Sequence, residues 1–142
     1  MHRIRLAGLA VSVSTLAIGL TGCSVINAFT PHVDSAIFAS AKELTPSATA
    51  SFGSPAFIPA DASIIRVDYD TQGKGAILTY TSKTHYVKGT CVKAAPLPTT
   101  QIQDSWWPVA GLPKQGVSCP GGWTAFAIGD QIYAALPTSK TS

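Results

Sequence analysis

The sequence predicts a mainly β protein whose folded part is a small domain of two hairpins plus short strands. Three observations carry this expectation. Of 142 residues, 12 are Gly and 10 are Pro while only 12% are charged, a turn-rich composition poor in the charged faces that helices show to water. Two pairs of short runs rich in β-branched and aromatic residues fold back around Gly-containing turns. Only one short stretch has helical spacing.

That stretch is VDSAIFASAKEL, residues 33–44, where Val33, Ile37, Ala41 and Leu44 share one helix face if the segment is helical. Pro46 stops such a helix, and TPSATASFGSP then reads as a small-residue linker. The alternative is that residues 23–54 are spacer throughout. A β-rich domain follows over residues 55–136. In SIIRVDYD, Ile65, Val67 and Tyr69 alternate with Arg66, Asp68 and Asp70; TQGKG supplies a turn, and AILTYTS returns with Ala76, Leu78 and Tyr80 on one face. These make the first hairpin. HYVKGTCVK, residues 85–93, reads as a third short strand, and the Pro- and Gly-rich stretch 95–122 as loop with a short strand near 101–106. WTAFAIGDQIYAAL is the second hairpin, turning at Gly129-Asp130, and residues 137–142 are a polar tail.

The N-terminus has a different character. Arg3 and Arg5 precede the uncharged run LAVSVSTLAIGL, residues 9–20. A basic segment before a short apolar one is the layout of an export signal. A run of about a dozen residues is too short for the roughly 20 that span a bilayer as a helix. Ile4 separates the two arginines, so a twin-arginine signal is absent. Leu20-Thr21-Gly22-Cys23 closes the segment. With this order of features the chain resembles a bacterial lipoprotein precursor with an LTGC lipobox. The resemblance implies a signal peptide over residues 1–22, diacylglycerol on Cys23 and cleavage between Gly22 and Cys23. It also implies a protein held on the extracytoplasmic face of the cell membrane, since two acyl chains suffice for stable anchoring.

Removing residues 1–22 leaves 120 residues with eight basic and seven acidic side chains, and every aromatic residue and every Pro. The formal charge of +3 thus belongs largely to export, and no nucleic-acid footprint remains. With Cys23 committed to lipid, Cys91 and Cys119 are an even pair in an oxidising compartment, and a disulfide is expected. It closes a loop of 29 residues and, on the chain-entropy estimate, contributes about 3.5 kcal/mol. The order PADASIIRV, LTYTS, Cys91, Trp106-Trp107-Pro108, Cys119 and Trp123 is similar to that of small actinobacterial lipoproteins and secreted proteins, a resemblance that brings no activity with it.

Catalytic motifs are sparse. Gly116-Val117-Ser118-Cys119-Pro120 departs from the nucleophile elbow at Pro120. Only His32 and His85 remain in the mature chain, too few for a protein-built zinc site, and no cofactor is expected. Asp68 and Asp70 share a strand face about 7 Å apart, within the spacing that glycosidase carboxylates use. A solvated strand face explains them more simply. The residues with most binding latitude are Trp106 and Trp107, with Trp123 and Tyr133, whose rings suit sugar faces or a protein partner. In extended chain Trp106 and Trp107 point to opposite sides, so one at most is expected in the core, whereas Trp123 is expected to pack beside the disulfide. Lys83, Lys88 and Lys93 would add a preference for anionic polymers.

The sequence therefore predicts a non-catalytic envelope binding or accessory module, whose partner is a cell-wall polymer or an envelope protein. The alternatives are an envelope hydrolase acting on cell-wall or polysaccharide substrate, and a structural or inhibitory partner of a membrane protein.

Overall fold

Every residue from Ala76 to Tyr80 is buried. Side chains alternate between faces along a strand, so this strand is covered on both sides. The computed structural model describes residues 32–137, and the lipobox residues Gly22 and Cys23 lie outside them. The strands are β1 (Val33–Ser40), β2 (Ser63–Asp70), β3 (Ala76–Thr81), β4 (Lys93–Ala95), β5 (Gly116–Ser118), β6 (Thr124–Ile128) and β7 (Gln131–Leu136). They form one sheet, antiparallel throughout, in the order β1-β2-β3-β7-β6-β5-β4. The only helical pieces among the described residues are two 3₁₀ turns, Ala41–Glu43 and Pro120–Gly122.

The two predicted hairpins are present as β2–β3 and β6–β7. Gly129 takes φ 63°, the left-handed value that the first position of a tight two-residue hairpin turn demands. The long pairing of β3 with β7, Ala76↔Leu136 through Thr81↔Gln131, joins the two hairpins into one sheet. Gly116 opens β5, where an added Cβ would lie 2.5 Å from the Ala125 carbonyl oxygen; only Gly lets β5 approach β6 this closely.

Register sorts the side chains onto two faces. The first carries Phe38, Ile65, Val67, Ala76, Leu78, Tyr80, Ala125, Ile132 and Ala134, all buried. Residues 41–62 cover it with Phe52, Phe57, Ile58 and Ala62. Phe57 meets the buried Trp123 at a centroid distance of 6.0 Å, and the Tyr80 hydroxyl donates to the His85 carbonyl at 2.6 Å. Cys91 and Cys119 form the expected disulfide, with Cα atoms 4.4 Å apart, and both pack against this core.

Three sequence expectations are corrected. Residues 33–44 form neither a helix nor spacer but β1 and a 3₁₀ turn. Seven register pairs with β2 outweigh a helical spacing that four residues alone supported, because strand preference is decided by packing against neighbours. The folded unit therefore includes Val33 to Ser54 as well as the stretch from residue 55, and Phe38, Thr49 and Phe52 are buried within it. Residues 85–92 form turns, where His85 at φ 62° and Gly89 at φ 83° break any extended run, and only Lys93–Ala95 pairs as β4. No strand forms at 101–106, while Gly116–Ser118, read as loop, is β5.

The disulfide ties the end of the turns after β3 to the end of β5, two segments with little regular structure of their own. Reduction, or the double change Cys91→Ser with Cys119→Ser, should therefore lower Tm by roughly 15–25 °C, the equivalent of about 3.5 kcal/mol in a domain of this size. Differential scanning calorimetry with and without reductant measures this, and a shift under about 5 °C would contradict the stapling role.

Candidate functional site

The second face of the sheet is polar. Ser35 and Ile37 of β1, Arg66 and Asp68 of β2, Ile77, Thr79 and Thr81 of β3, and Gln131, Tyr133 and Ala135 of β7 are register neighbours there, with Phe126 of β6 beside Tyr133. Residues 96–115 pass over this face. Their anchor is Ile102, 2% exposed, on Ile77 and Ala135. Pro96, Pro98, Pro108 and Pro113 stiffen the segment by fixing φ, and the Thr100 hydroxyl both donates to the Ile102 carbonyl and accepts from the Ile102 N–H.

Trp106 and Trp107 rest on this small cluster, each half-buried. Neither ring is part of the buried core, but the expectation that they point to opposite sides is corrected, since both pack on this one cluster. The Trp107 N–H donates to the Asp104 carbonyl at 3.0 Å, closing a turn, so the two rings do not diverge as they would in a strand. They meet edge-on at 6.2 Å. Trp107 also stands edge-on to Phe126 at 5.7 Å and to Tyr133 at 5.9 Å, and those two rings stack at 5.4 Å. Such arrangements contribute roughly 0.5–1.5 kcal/mol per pair beyond their buried area.

Because apolar contacts hold only part of the loop, clefts remain. One of about 230 Å³ is bounded by Ile64, Arg66, Thr79, Thr81, Trp106, Gln131 and Tyr133. A second of about 210 Å³ lies among Ser35, Ile37, Arg66, Asp68, Asp104, Ser105 and Trp106. The two share Arg66 and Trp106. A third, about 330 Å³, opens between Trp107, Pro108 and Val109 and the Thr99–Gln103 side of the same loop.

The carboxylates are distributed differently from the sequence reading. Asp68 is 4% exposed, not solvated, and the Ser35 hydroxyl donates to it at 2.7 Å. Its companion is Asp104 of the loop rather than Asp70, which instead accepts the Gln72 N–H at 2.9 Å and so shapes the hairpin turn. Burial raises the Asp68 pKa, and the adjoining Asp104 carboxyl adds to the rise against the opposing Ser35 and Trp106 contacts. The Ser105 hydroxyl, 2.9 Å away, is the main cause that lowers the Asp104 pKa. The two carboxyls are thus shifted in opposite directions, Asp68 toward keeping its proton and Asp104 toward losing it.

Of the other candidates, Trp123 is 2% exposed in the first core. Tyr133 joins the aromatic wall described above. Lys83 and Lys88 lie in the turns that follow β3, and the cation of the clefts is Arg66. Arg66, Thr79, Thr81, Gln131 and Asp104 were not singled out by sequence reasoning. The alternation within the hairpins places the first four on the polar face, but nothing in it says that a distant loop will roof them. No family model matches the chain, and no curated protein or solved structure shows detectable similarity to it.

The carboxyl pair makes the loop contact pH-sensitive in a definite sense. A folded-state pKa above the unfolded value contributes stability at low pH that is lost as pH rises through the folded pKa, which is the case for Asp68. Asp104, with its lowered pKa, works oppositely and loses its contribution as pH falls. Asp68→Asn keeps an acceptor for Ser35 and a donor toward Asp104 while removing the proton that must be lost. The Tm difference, variant minus wild type, should therefore increase from pH 4 to pH 8. A difference that stays constant or shrinks across a thermal-melt pH series would show that Asp68 does not hold its proton in the fold.

Proposed function

We propose that this protein is a lipid-anchored module of the bacterial cell envelope, exported by residues 1–22, held through diacylglycerol on Cys23, and binding an envelope glycan without turning it over. The observation that carries the binding half is the half-covered second face, where Trp106 divides two polar clefts and Trp107 leads a wall of aromatic rings. A tightly covered face would leave no room for a ligand; an uncovered one would offer no walls. Binding sites are concave, with aromatic surfaces and a few fixed polar groups, and this face offers both. The LTGC sequence and the basic-then-apolar leader support the anchoring half.

Cys23 and Val33 are separated by nine residues, so the chain reaches at most about 35 Å between them. A lipid on Cys23 would then keep the domain near the membrane surface. Glycans attached to or assembled at the membrane, as well as the nearest wall strands, lie within that reach.

The hydrolase alternative draws on Asp68 and Asp104, two carboxyls of one cleft whose pKa values are pushed apart. Both line the cleft beside β1, where the Ser35 hydroxyl donates to Asp68 and the Ser105 hydroxyl to Asp104, so each is already engaged in holding the sheet or the loop. The pair is better suited to fastening the loop than to flanking a glycosidic bond.

Two measurements test the proposal. Mass spectrometry of the membrane-extracted protein should show an N-terminal diacylglyceryl Cys23, and Cys23→Ala should shift the protein out of the membrane fraction. Detergent-solubilised mature protein should co-sediment with purified cell-wall sacculi, and Trp106→Ala should weaken this about tenfold, the loss expected of a central aromatic contact. Failure to bind glycan, together with crosslinking to one membrane protein in native membranes, would instead support the partner-protein reading.

A further inference from the structure

We propose that the cleft bounded by Ile64, Arg66, Trp106, Gln131 and Tyr133 is a subsite for a single pyranose ring bearing a carboxylate, with the neighbouring sugar lying across Trp106. This rests on the glycan-binding reading above and names the ligand chemistry and the residues that read it.

Ile64 is the first pointer. It sits at φ 51°, a backbone region in which a β-branched residue is a true outlier. The pairing of β2 with β3 slips by one residue between Ser63 and Arg66, and Ile64 occupies that bulge. Its side chain is 57% exposed, so core burial does not offset the strain. Bulges re-aim side chains beside binding sites, and strain of this kind persists where local geometry is put to use. Here the bulge sets Ile64 at the cleft wall and Arg66 opposite Thr79.

Gln131 is the second. Its Oε1 accepts from the Thr81 hydroxyl at 2.9 Å, and its Nε2 donates to the Thr79 hydroxyl. The Thr79 hydroxyl in turn donates to the buried Ile132 carbonyl at 2.8 Å. The amide is therefore held in one orientation, with one N–H and one acceptor lone pair still available. A fixed, coplanar donor and acceptor match two neighbouring hydroxyls, and the fixing lowers the entropy cost of binding.

Arg66 is the third. Among the described residues the one ion pair within 4.0 Å is His85 with Asp130, so the Arg66 guanidinium is left for an external anion. Its planar fork suits a carboxylate. Trp106 and Tyr133 supply aromatic surface for the apolar side of the ring. At about 230 Å³ the cleft is below the roughly 300–1,000 Å³ of sites for drug-sized ligands. That suits one sugar, and the adjoining cleft of about 210 Å³, reached past Trp106, takes the next.

Two soluble disaccharides test this against the full mature protein in detergent: N-acetylglucosaminyl-N-acetylmuramic acid, which carries a carboxylate, and neutral chitobiose. Calorimetry should show the acidic sugar bound roughly tenfold or more tighter. Arg66→Gln should abolish that preference while leaving the weaker chitobiose binding, and Gln131→Ala should weaken both. Ile64→Gly should raise Tm by roughly 2 °C or more yet weaken the acidic sugar, a combination that general damage to the fold does not produce. Equal affinity of wild type for the two sugars, or unchanged binding by Arg66→Gln and Gln131→Ala, overturns the subsite. If sacculi still bind while the subsite fails, the glycan-binding function stands on other residues; if neither sacculi nor disaccharide binds, both readings fall. Vesicles carrying a lipid-linked form of the acidic disaccharide, compared with sacculi, identify which source of this sugar the site takes.

Discussion

The structure turns on β3, a central strand buried on both faces in a protein whose described residues have almost no helix. A strand covered on both faces is ordinarily roofed by helices, which satisfy their own backbone. Here irregular segments must do the covering, and each must find partners for its polar backbone groups. Residues 41–62 do so through successive turns, with Thr49, 1% exposed, donating its hydroxyl to the Thr45 carbonyl at 3.0 Å. The disulfide and the hydrogen bond from Tyr80 to the His85 carbonyl hold the adjoining turns. This reliance on loops is why a crosslink between residues 91 and 119 has so much to stabilise.

The two faces meet the same requirement unequally, and the inequality creates the site. Aliphatic and aromatic residues fill the first face, so its cover fits closely. On the second, Ile77 and Ala135 form a small buried apolar patch met by Ile102 from above, with the buried Phe126 nearby on β6. Around them lie Arg66, Asp68, Thr79 and Gln131, which resist desolvation unless they are hydrogen-bonded. The loop can therefore rest on the patch but not on the surrounding polar stripe. Trp106, seated at the boundary between these regions, becomes a partition with a cleft on either side. Composition of one strand face thus determines both where the loop docks and where space is left.

Much of this architecture could be read from the residues, and the parts that could not have identifiable causes. The hairpins were legible because alternation and a Gly-containing turn are local signals. β1 was not, since Ala36 and Phe38 mark its inward face while the exposed Ile37 blurs the alternation and completes an apparent helical spacing. β4 and β5 are three residues each, below the length at which a pattern exists. Ile64 reads as an ordinary strand residue in SIIRV, because a positive φ leaves no trace in side-chain chemistry. The Asp68–Asp104 contact joins residues 36 positions apart and depends on where the loop lands. The disulfide was accessible through counting, once Cys23 is assigned to lipid.

The two clefts differ because the strands that floor them differ. Ser35 of β1 donates to Asp68 of β2 at 2.7 Å, and Asp104 from the loop lines the same cleft, so this end of the groove is carboxyl-lined. At the other end Gln131 of β7 is fixed by Thr79 and Thr81 of β3, and the lining is amide and hydroxyl. Arg66 and Trp106 border both clefts, so a ligand that passes Trp106 moves from a carboxyl-lined wall to an amide-lined one, with Arg66 between them. Strand order sets this polarity: β1 and β7 stand on opposite sides of the β2–β3 pair, and the loop above only divides what the strands already distinguish.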